Sequence, residues 1–262
     1  MKLSIVTVCY NSARTIEKTI QSVISQKTED IEYIIVDGAS SDRTLDIINM
    51  YRNQIDIVIS EQDKGISDAF NKGIRKASGE FIGIINSDDQ YLPGAFELFL
   101  SEVSADTDVF FGNGVRINEK NMCKKYMSNP NPNGLKTSMS IMHSATFVRK
   151  NAYEKYGMYS VDYRYVMDRE CLLRMLNGGA KFQYSEGFFA LYCMGGLSDQ
   201  GYISGVVPES YKIDIANGVP VSSAIMHRVK RYLKWYAVLF KKIIFGDNGV
   251  SLEELKEKLE DR

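Results

Sequence analysis

Leu3–Ser12 reads LSIVTVCYNS, an apolar run that stops at Tyr10-Asn11-Ser12. A short continuous run rich in Ile, Val and Thr has the length and chemistry of a strand buried on both faces. Directly behind it, Ser12–Gln26 carries Ile16, Ile20, Val23 and Ile24 at helical spacing. The alternation then repeats. Ile31–Asp37 reads as a strand, Asp42–Tyr51 as a helix, Ile55–Ser60 as a strand, Ser67–Ala77 as a helix closed by Gly79, and Glu80–Asn86 (EFIGIIN) as a fourth strand. Apolar strands alternating with short helices predict βαβ units and a mainly parallel central sheet flanked by helices, the Rossmann-like α/β class. Ser41/Asp42 and Ser67 can cap helices, and Pro93 suits a first helical turn.

Composition agrees. The 262 residues are 44% apolar and 25% charged, with 20 Gly, 5 Pro and 4 Cys, which excludes disordered, collagen-like and disulfide-scaffold classes. The net charge of −1 argues against a nucleic-acid binder. The cysteines (Cys9, Cys123, Cys171, Cys193) are dispersed without a CxxC pair, so a reducing cytoplasm is the expected location. MKLSIVTVCYNS is too short and too polar for a signal peptide, and no stretch is long enough to span a bilayer. After Asp106 the texture changes to short strands (Val109–Gly112, Val115–Asn118) and a loop rich in Asn, Pro and Gly at Ser128–Gly134. Residues 1–105 and 106–220 therefore read as two halves of one domain, followed by a C-terminal extension, 221–262.

Ligands of an open parallel sheet bind beyond the carboxyl ends of its strands. Thr7, Tyr10 and Asn11, then Asp37, then Ser87-Asp88-Asp89 fall at those ends. Asp37-Gly38 alone is equally well a turn. Asp88-Asp89 is more telling, because adjacent carboxylates repel each other unless they share a cation. Hard oxygen ligands suit Mg²⁺ or Mn²⁺, which typically pair one or two carboxylates with substrate phosphates.

LSIVTVCYNS, IIVDGASSDRT, GISDAFNKGI, INSDD and YVMDRECLLR occur in one order along about the first 200 residues. Together they resemble the family 2 glycosyltransferases of GT-A fold, INSDD standing as a variant of that family's DxD motif. HSATFV, YVMD and GGLS in sequence are most similar to bacterial enzymes that assemble surface polysaccharide repeat units such as O-antigen. The resemblance implies that Thr7 and Tyr10 line a nucleotide pocket, and that Asp37 accepts a hydrogen bond from uracil. It further implies that Lys64 and Asp68 touch the donor, Asp88 the ribose or sugar, and that Asp89 holds the metal. Asp168 matches the base that deprotonates the acceptor hydroxyl, although this chain has Met167-Asp168 where many relatives have an acidic pair. The implied reaction is inverting transfer from a UDP-sugar to a lipid-linked oligosaccharide. For Asp168 the rival reading is an N-cap of the helix RECLLRML. His143, and Gly195-Gly196 as a loop over the acceptor, are further acceptor-site candidates, each with a purely structural alternative.

The extension is distinctive. Ala224–Gly246 holds six Lys/Arg and no acid, leaving 26 basic against 33 acidic residues elsewhere. Ile225, Val229, Leu233, Tyr236, Phe240 and Ile243 share one helical face, while His227, Arg228, Arg231, Lys234, Lys241 and Lys242 fall largely off it. That pattern predicts an interfacial helix, with residues 224–245 on the anionic inner face of the plasma membrane; a packing helix with a solvated charged side is the alternative. EELKEKLEDR reads as a solvated helical tail. Two other functions fit an α/β nucleotide fold. A sugar-1-phosphate nucleotidyltransferase would need a Gly-rich, cationic first loop, which VTVCYNSARTIE is not. A non-catalytic glycan- or nucleotide-binding module would have no use for both Asp89 and Asp168.

Overall fold

The computed structural model describes residues 2–117, 122–127, 131–196, 200–245 and 250–251. The expected alternation is present: β1 Leu3–Cys9, α1 Ile16–Ile24, β2 Ile31–Asp37, α2 Thr44–Met50, β3 Ile57–Ser60, α3 Ile66–Lys76 and β4 Phe81–Asn86. These four strands are parallel, in the order β3-β2-β1-β4, with Cys9 paired to Asp37 and Val8 to Asn86. Their polar ends thus lie side by side on one edge. Every residue of β1 and β2 is buried, as expected for strands covered on both faces. One core packs Val6, Val8, Ile34 and Val36 against α3; the other packs Ile5, Tyr33 and Ile35 against α1.

Beyond β4 the sheet becomes mixed. β5 is Gln90–Tyr91, α4 Ala95–Glu102, β6 Val109–Ile117, β7 Met122–Met127, β8 Thr146–Arg149, α5 Lys150–Tyr156, α6 Met167–Asn177, β9 Phe182–Cys193 and β10 Val250–Ser251. β8 pairs antiparallel to β4 and β6, while β9 runs parallel to β6, so both halves of the chain share one sheet. The two short strands expected at 109–118 are a single strand, β6, as far as Ile117; Asn118 lies outside the described residues. Its glycines serve close packing. A Cβ on Gly112 would sit 2.2 Å from the Phe189 ring, and one on Gly114 would sit 2.0 Å from the Met142 sulfur.

The helix starts differ in detail from expectation. The N-cap of α3 is Gly65, at φ 112°, and Ser67 lies inside the first turn, donating to Tyr163 O. Pro93 precedes the α4 N-cap, Gly94. Between β9 and β10 lie α7 Val207–Ala216, preceded by a wide turn at Tyr202–Val206, and α8 Val221–Phe245. Leu197-Ser198, part of Ser128–Gly134 and the EELKEKLEDR tail lie outside the described residues.

Candidate active site

The loops after β1 and β2 hold each other. Gly38 N donates to Cys9 O at 2.9 Å, Asn11 N to Ser40 Oγ at 2.8 Å, and Ser41 N to Asn11 Oδ1 at 2.9 Å. Asn11 and Ala39 are left-handed, at φ 49° and 61°, a conformation that non-glycine residues adopt at a cost. The rim is therefore set by mutual bonding of two loops. Tyr10 stands out from it, 63% exposed.

Asp37 closes β2, and Thr7 lies near the end of β1, beside it in the sheet. Asp37 is fully buried. Its Oδ2 accepts from Ser40 N at 3.0 Å and Ser60 Oγ at 2.7 Å, and its Oδ1 accepts from Ser40 Oγ. A carboxylate has about four acceptor positions, so most are already taken and the group fastens β2, β3 and the rim together. Thr7 is also fully buried; its hydroxyl shares a 3.0 Å hydrogen bond with Tyr33 OH inside the core. A further carboxylate beside the rim is Asp63, which the sequence reading passed over. A Cβ on Gly38 would lie 2.5 Å from Asp63 Oδ2 and 3.4 Å from the Tyr10 ring. The absence of a side chain at Gly38 is what lets Asp63 and Tyr10 flank one concave spot.

Asp68 works locally. Its Oδ2 accepts from Lys64 N at 3.1 Å, reaching back over the first turn of α3, and it pairs with Lys72 and Arg75. Lys64 is exposed on the loop that Lys72 ties down through Gln62 O and Glu61.

At the end of β4 the two adjacent carboxylates diverge. Asp89 is 2% exposed; its Oδ1 accepts from Cys193 N at 2.9 Å and its carbonyl from Thr19 Oγ1 at 2.7 Å. Burial, and then the Asp88 charge, hold its carboxyl well above the usual carboxylate range. Asp88 is half-buried, with Gly196 close by: a Cβ there would lie 3.5 Å from Asp88 Oδ2. Gly195-Gly196 thus turns over Asp88. Asn86 Oδ1 is buried with no protein partner. Among the described residues no three His, Cys, Asp or Glu cluster tightly enough to cage a metal. A divalent cation nevertheless fits the chemistry. Hard oxygens, a costly pair of adjacent charges and few protein ligands describe an ion that completes its shell with phosphate and water. Asp88 is the more exposed member of the pair and Asp89 the inner one.

Asp168 lies in the first turn of α6, half-buried, and its Oδ1 accepts from Arg169 N at 2.7 Å. It is not the N-cap. That position is Val166, and the N–H groups of Arg164, Tyr165 and Val166 are taken by Glu209 of α7 at 3.0, 2.8 and 3.2 Å. Glu209 thus holds the backbone leading into α6, while Asp168 itself bonds a first-turn N–H, that of Arg169. Burial pushes the Asp168 carboxyl up to about 6, a range suited to a proton acceptor near neutrality. The preceding loop is tied to α3, where the Asn71 amide exchanges two bonds with the Tyr159 backbone, at 2.8 and 3.0 Å.

His143 is an inner support. It shares a 3.0 Å hydrogen bond with Tyr159 OH and stacks on Phe70 at 5.1 Å. Burial lowers its pKa to about 4, so it is neutral at physiological pH.

The α8 helix divides its two faces between the domain and the outside. The half-buried side chains are His227, Arg228, Arg231, Tyr232 and Trp235, whereas Ile225, Val229, Leu233, Tyr236 and Phe240 are exposed. Part of the basic face is turned into the domain and the apolar row is turned out, with Lys230 and Lys234 beside it. The side chains of Lys241, Lys242 and Ile243 lie outside the described residues. No helix among the described residues is long and apolar enough to cross a membrane.

A parallel nucleotide-type half, joined through one sheet to a mixed half that carries a separate carboxylate, defines a GT-A-like fold. The structural comparison agrees. S. aureus TarS 1–349 in complex with UDP superposes with a TM-score of 0.64 at 16% identity, covering 98% of this chain and 78% of that one. The mannosyltransferase PcManGT from Pyrobaculum calidifontis, in complex with GDP-Man and Mn²⁺, gives 0.62 at 13% identity, covering 90% and 75%. Glycosyl transferase family 2 matches residues 4–163, and the chain belongs to that family. Among named relatives, the putative teichuronic acid biosynthesis glycosyltransferase TuaG of Bacillus subtilis is 36% identical over 92 residues. That match covers 34% of this chain and 36% of TuaG, and the match to an uncharacterized glycosyltransferase of Nostoc covers 34% of that protein's length. The PGL/p-HBAD biosynthesis glycosyltransferase of Mycobacterium bovis is 27% identical over 205 residues, covering 75% of this chain and 78% of the relative.

Proposed function

We propose that this chain transfers a sugar from a uridine diphosphate donor to a hydroxyl of a lipid-linked oligosaccharide, inverting the anomeric centre, during assembly of a cell-surface polysaccharide. The observation that carries the reading is a half-buried carboxylate in the first turn of α6, Asp168, whose pKa is raised to about 6, in a chain that also sets the half-buried Asp88 just past the end of β4. The TarS complexes with UDP and UDP-GlcNAc and the name of TuaG support the donor and the pathway class.

In this reading Tyr10 stacks on the base, and Asp63, next to it, accepts the base N–H. Asp88 and, behind it, Asp89 would hold a divalent cation, which supplies charge neutralisation to the departing diphosphate. Asp168 accepts the proton of the acceptor hydroxyl as the oxygen bonds to the anomeric carbon. The bond to the diphosphate breaks in the same displacement, so an α-linked donor gives a β-glycoside. The exposed row Ile225, Val229, Leu233, Tyr236 and Phe240, with Lys230 and Lys234 beside it, rests on an anionic membrane surface at the cytoplasmic face, where a lipid-linked acceptor is presented.

Calorimetry with UDP, GDP and ADP, followed by a UDP-release screen of UDP-sugars with Mn²⁺, tests this. Tighter UDP binding and release from one sugar are expected; equal affinity for all three nucleotides would reject the donor.

A further inference from the structure

Two carboxylates on α7 surround the start of α6 from behind. Glu209 takes the three N–H groups just before Asp168. Asp214, 1% exposed, accepts from Arg169 Nη2 at 2.7 Å through Oδ1. Its Oδ2 faces α8, where Arg231 Nη2 lies at 3.1 Å and His227 Nδ1 at 3.3 Å. Arg169, the residue after Asp168, is itself 1% exposed. It donates to Leu135 O at 2.8 Å and Lys136 O at 3.0 Å, and Arg231 donates to Thr137 O at 2.5 Å. Two guanidiniums sharing one carboxylate therefore capture three successive carbonyls.

Burying that much charge is costly unless every partner is in place. These shared partners tie α8, α7, α6 and the 135–137 segment to one another. A helix serving only as a membrane tether has no need to send Arg231 and His227 inward. We propose that Glu209 and Asp214 are positioning residues for Asp168, and that α8, by locking Asp214, belongs to the acceptor-activating machinery. This rests on the reading of Asp168 as the base. Other groups facing Asp168 are Arg169 and Cys171 on α6 and Tyr159 from the loop after α5.

The test uses the full chain with the UDP-sugar it hydrolyses fastest, in the absence of vesicles. Arg231→Ala should lower the maximal rate of UDP release roughly ten- to hundredfold, with KM for the donor and UDP affinity unchanged. Arg231→Lys should recover much of the loss, because it can still donate to Thr137 O or Asp214. Glu209→Gln keeps an acceptor for the backbone but removes a negative charge near Asp168, so the acid limb of the rate profile should move to lower pH. A role confined to stability would leave that limb in place. Wild-type rate and acid limb in both Arg231→Ala and Glu209→Gln, with Asp168→Asn inactive, would overturn the proposal alone. A fully active Asp168→Asn would instead remove the base reading beneath it.

Discussion

The carboxylate of Asp63 occupies the space that a side chain at Gly38 would need, 2.5 Å from where its Cβ would lie. Asp63 is fixed from the other side by Gly65 N, which donates to its Oδ1 at 2.8 Å. An added methyl at Gly38 therefore moves a side-chain end rather than the backbone. Gly38→Ala should fold and lose UDP affinity, and Asp63→Ala should lose about tenfold or more, the order of one charge-assisted hydrogen bond. Asp37→Ala should instead lower the melting temperature, since it strips Ser40 and Ser60 of their acceptor. Calorimetry and thermal melts on the three variants separate the roles; unchanged UDP affinity in Asp63→Ala would return base recognition to other groups.

Removing Asp88 should abolish activation by Mn²⁺ or Mg²⁺ while leaving the fold intact, because its carboxylate is the open one of the pair. Asp89→Asn should cost less activity than Asp88→Asn, since Asn Oδ1 can still accept from Cys193 N. UDP release titrated with Mn²⁺ after chelation decides the order. Full turnover in excess EDTA would refute metal dependence.

Asp168→Asn should bind UDP normally and turn over at least ~100-fold more slowly, the usual scale of a lost general base. The wild-type rate should climb with pH through about 6, as the raised Asp168 carboxyl loses its proton. The stability effect has the opposite sign. A carboxyl that holds its proton more tightly in the folded state stabilises below the unfolded value of 3.8, and that contribution is lost as pH rises from 3.8 towards 6. Asp168→Asn should therefore melt higher than wild type at pH 7. A pH–rate profile and melts at two pH values check both statements.

Membrane attachment should depend on the exposed row of α8. Leu233→Glu with Phe240→Glu should abolish sedimentation with anionic vesicles and leave UDP affinity unchanged, as these side chains are 63% and 66% exposed. Equal sedimentation of variant and wild type would assign the row to another partner. Deletion from Ala224 onward is a poorer test, because it also removes Arg231 from Asp214.

The sequence by itself determined the parallel half. In β1, β2 and β4 the continuous apolar runs, and in α1 and α3 the helical spacing of apolar residues, are local signals, so strand and helix are legible from neighbouring residues, and the placement of Asp88-Asp89 just past a strand end follows. Tertiary structure decided which way the side chains at those ends face. Thr7, Asp37, Asp88 and Asp89 are all polar residues at strand ends, yet Thr7 pairs with Tyr33 and Asp37 with Ser60, partners 26 and 23 residues away. Asp89 turns to Cys193, 104 residues away. No local period encodes such contacts. The same holds for α8, whose pattern suggested an interfacial helix but not that Asp214 would take Arg231 and His227: buried charge goes where its counter-charge is, and only the assembled fold places the two together.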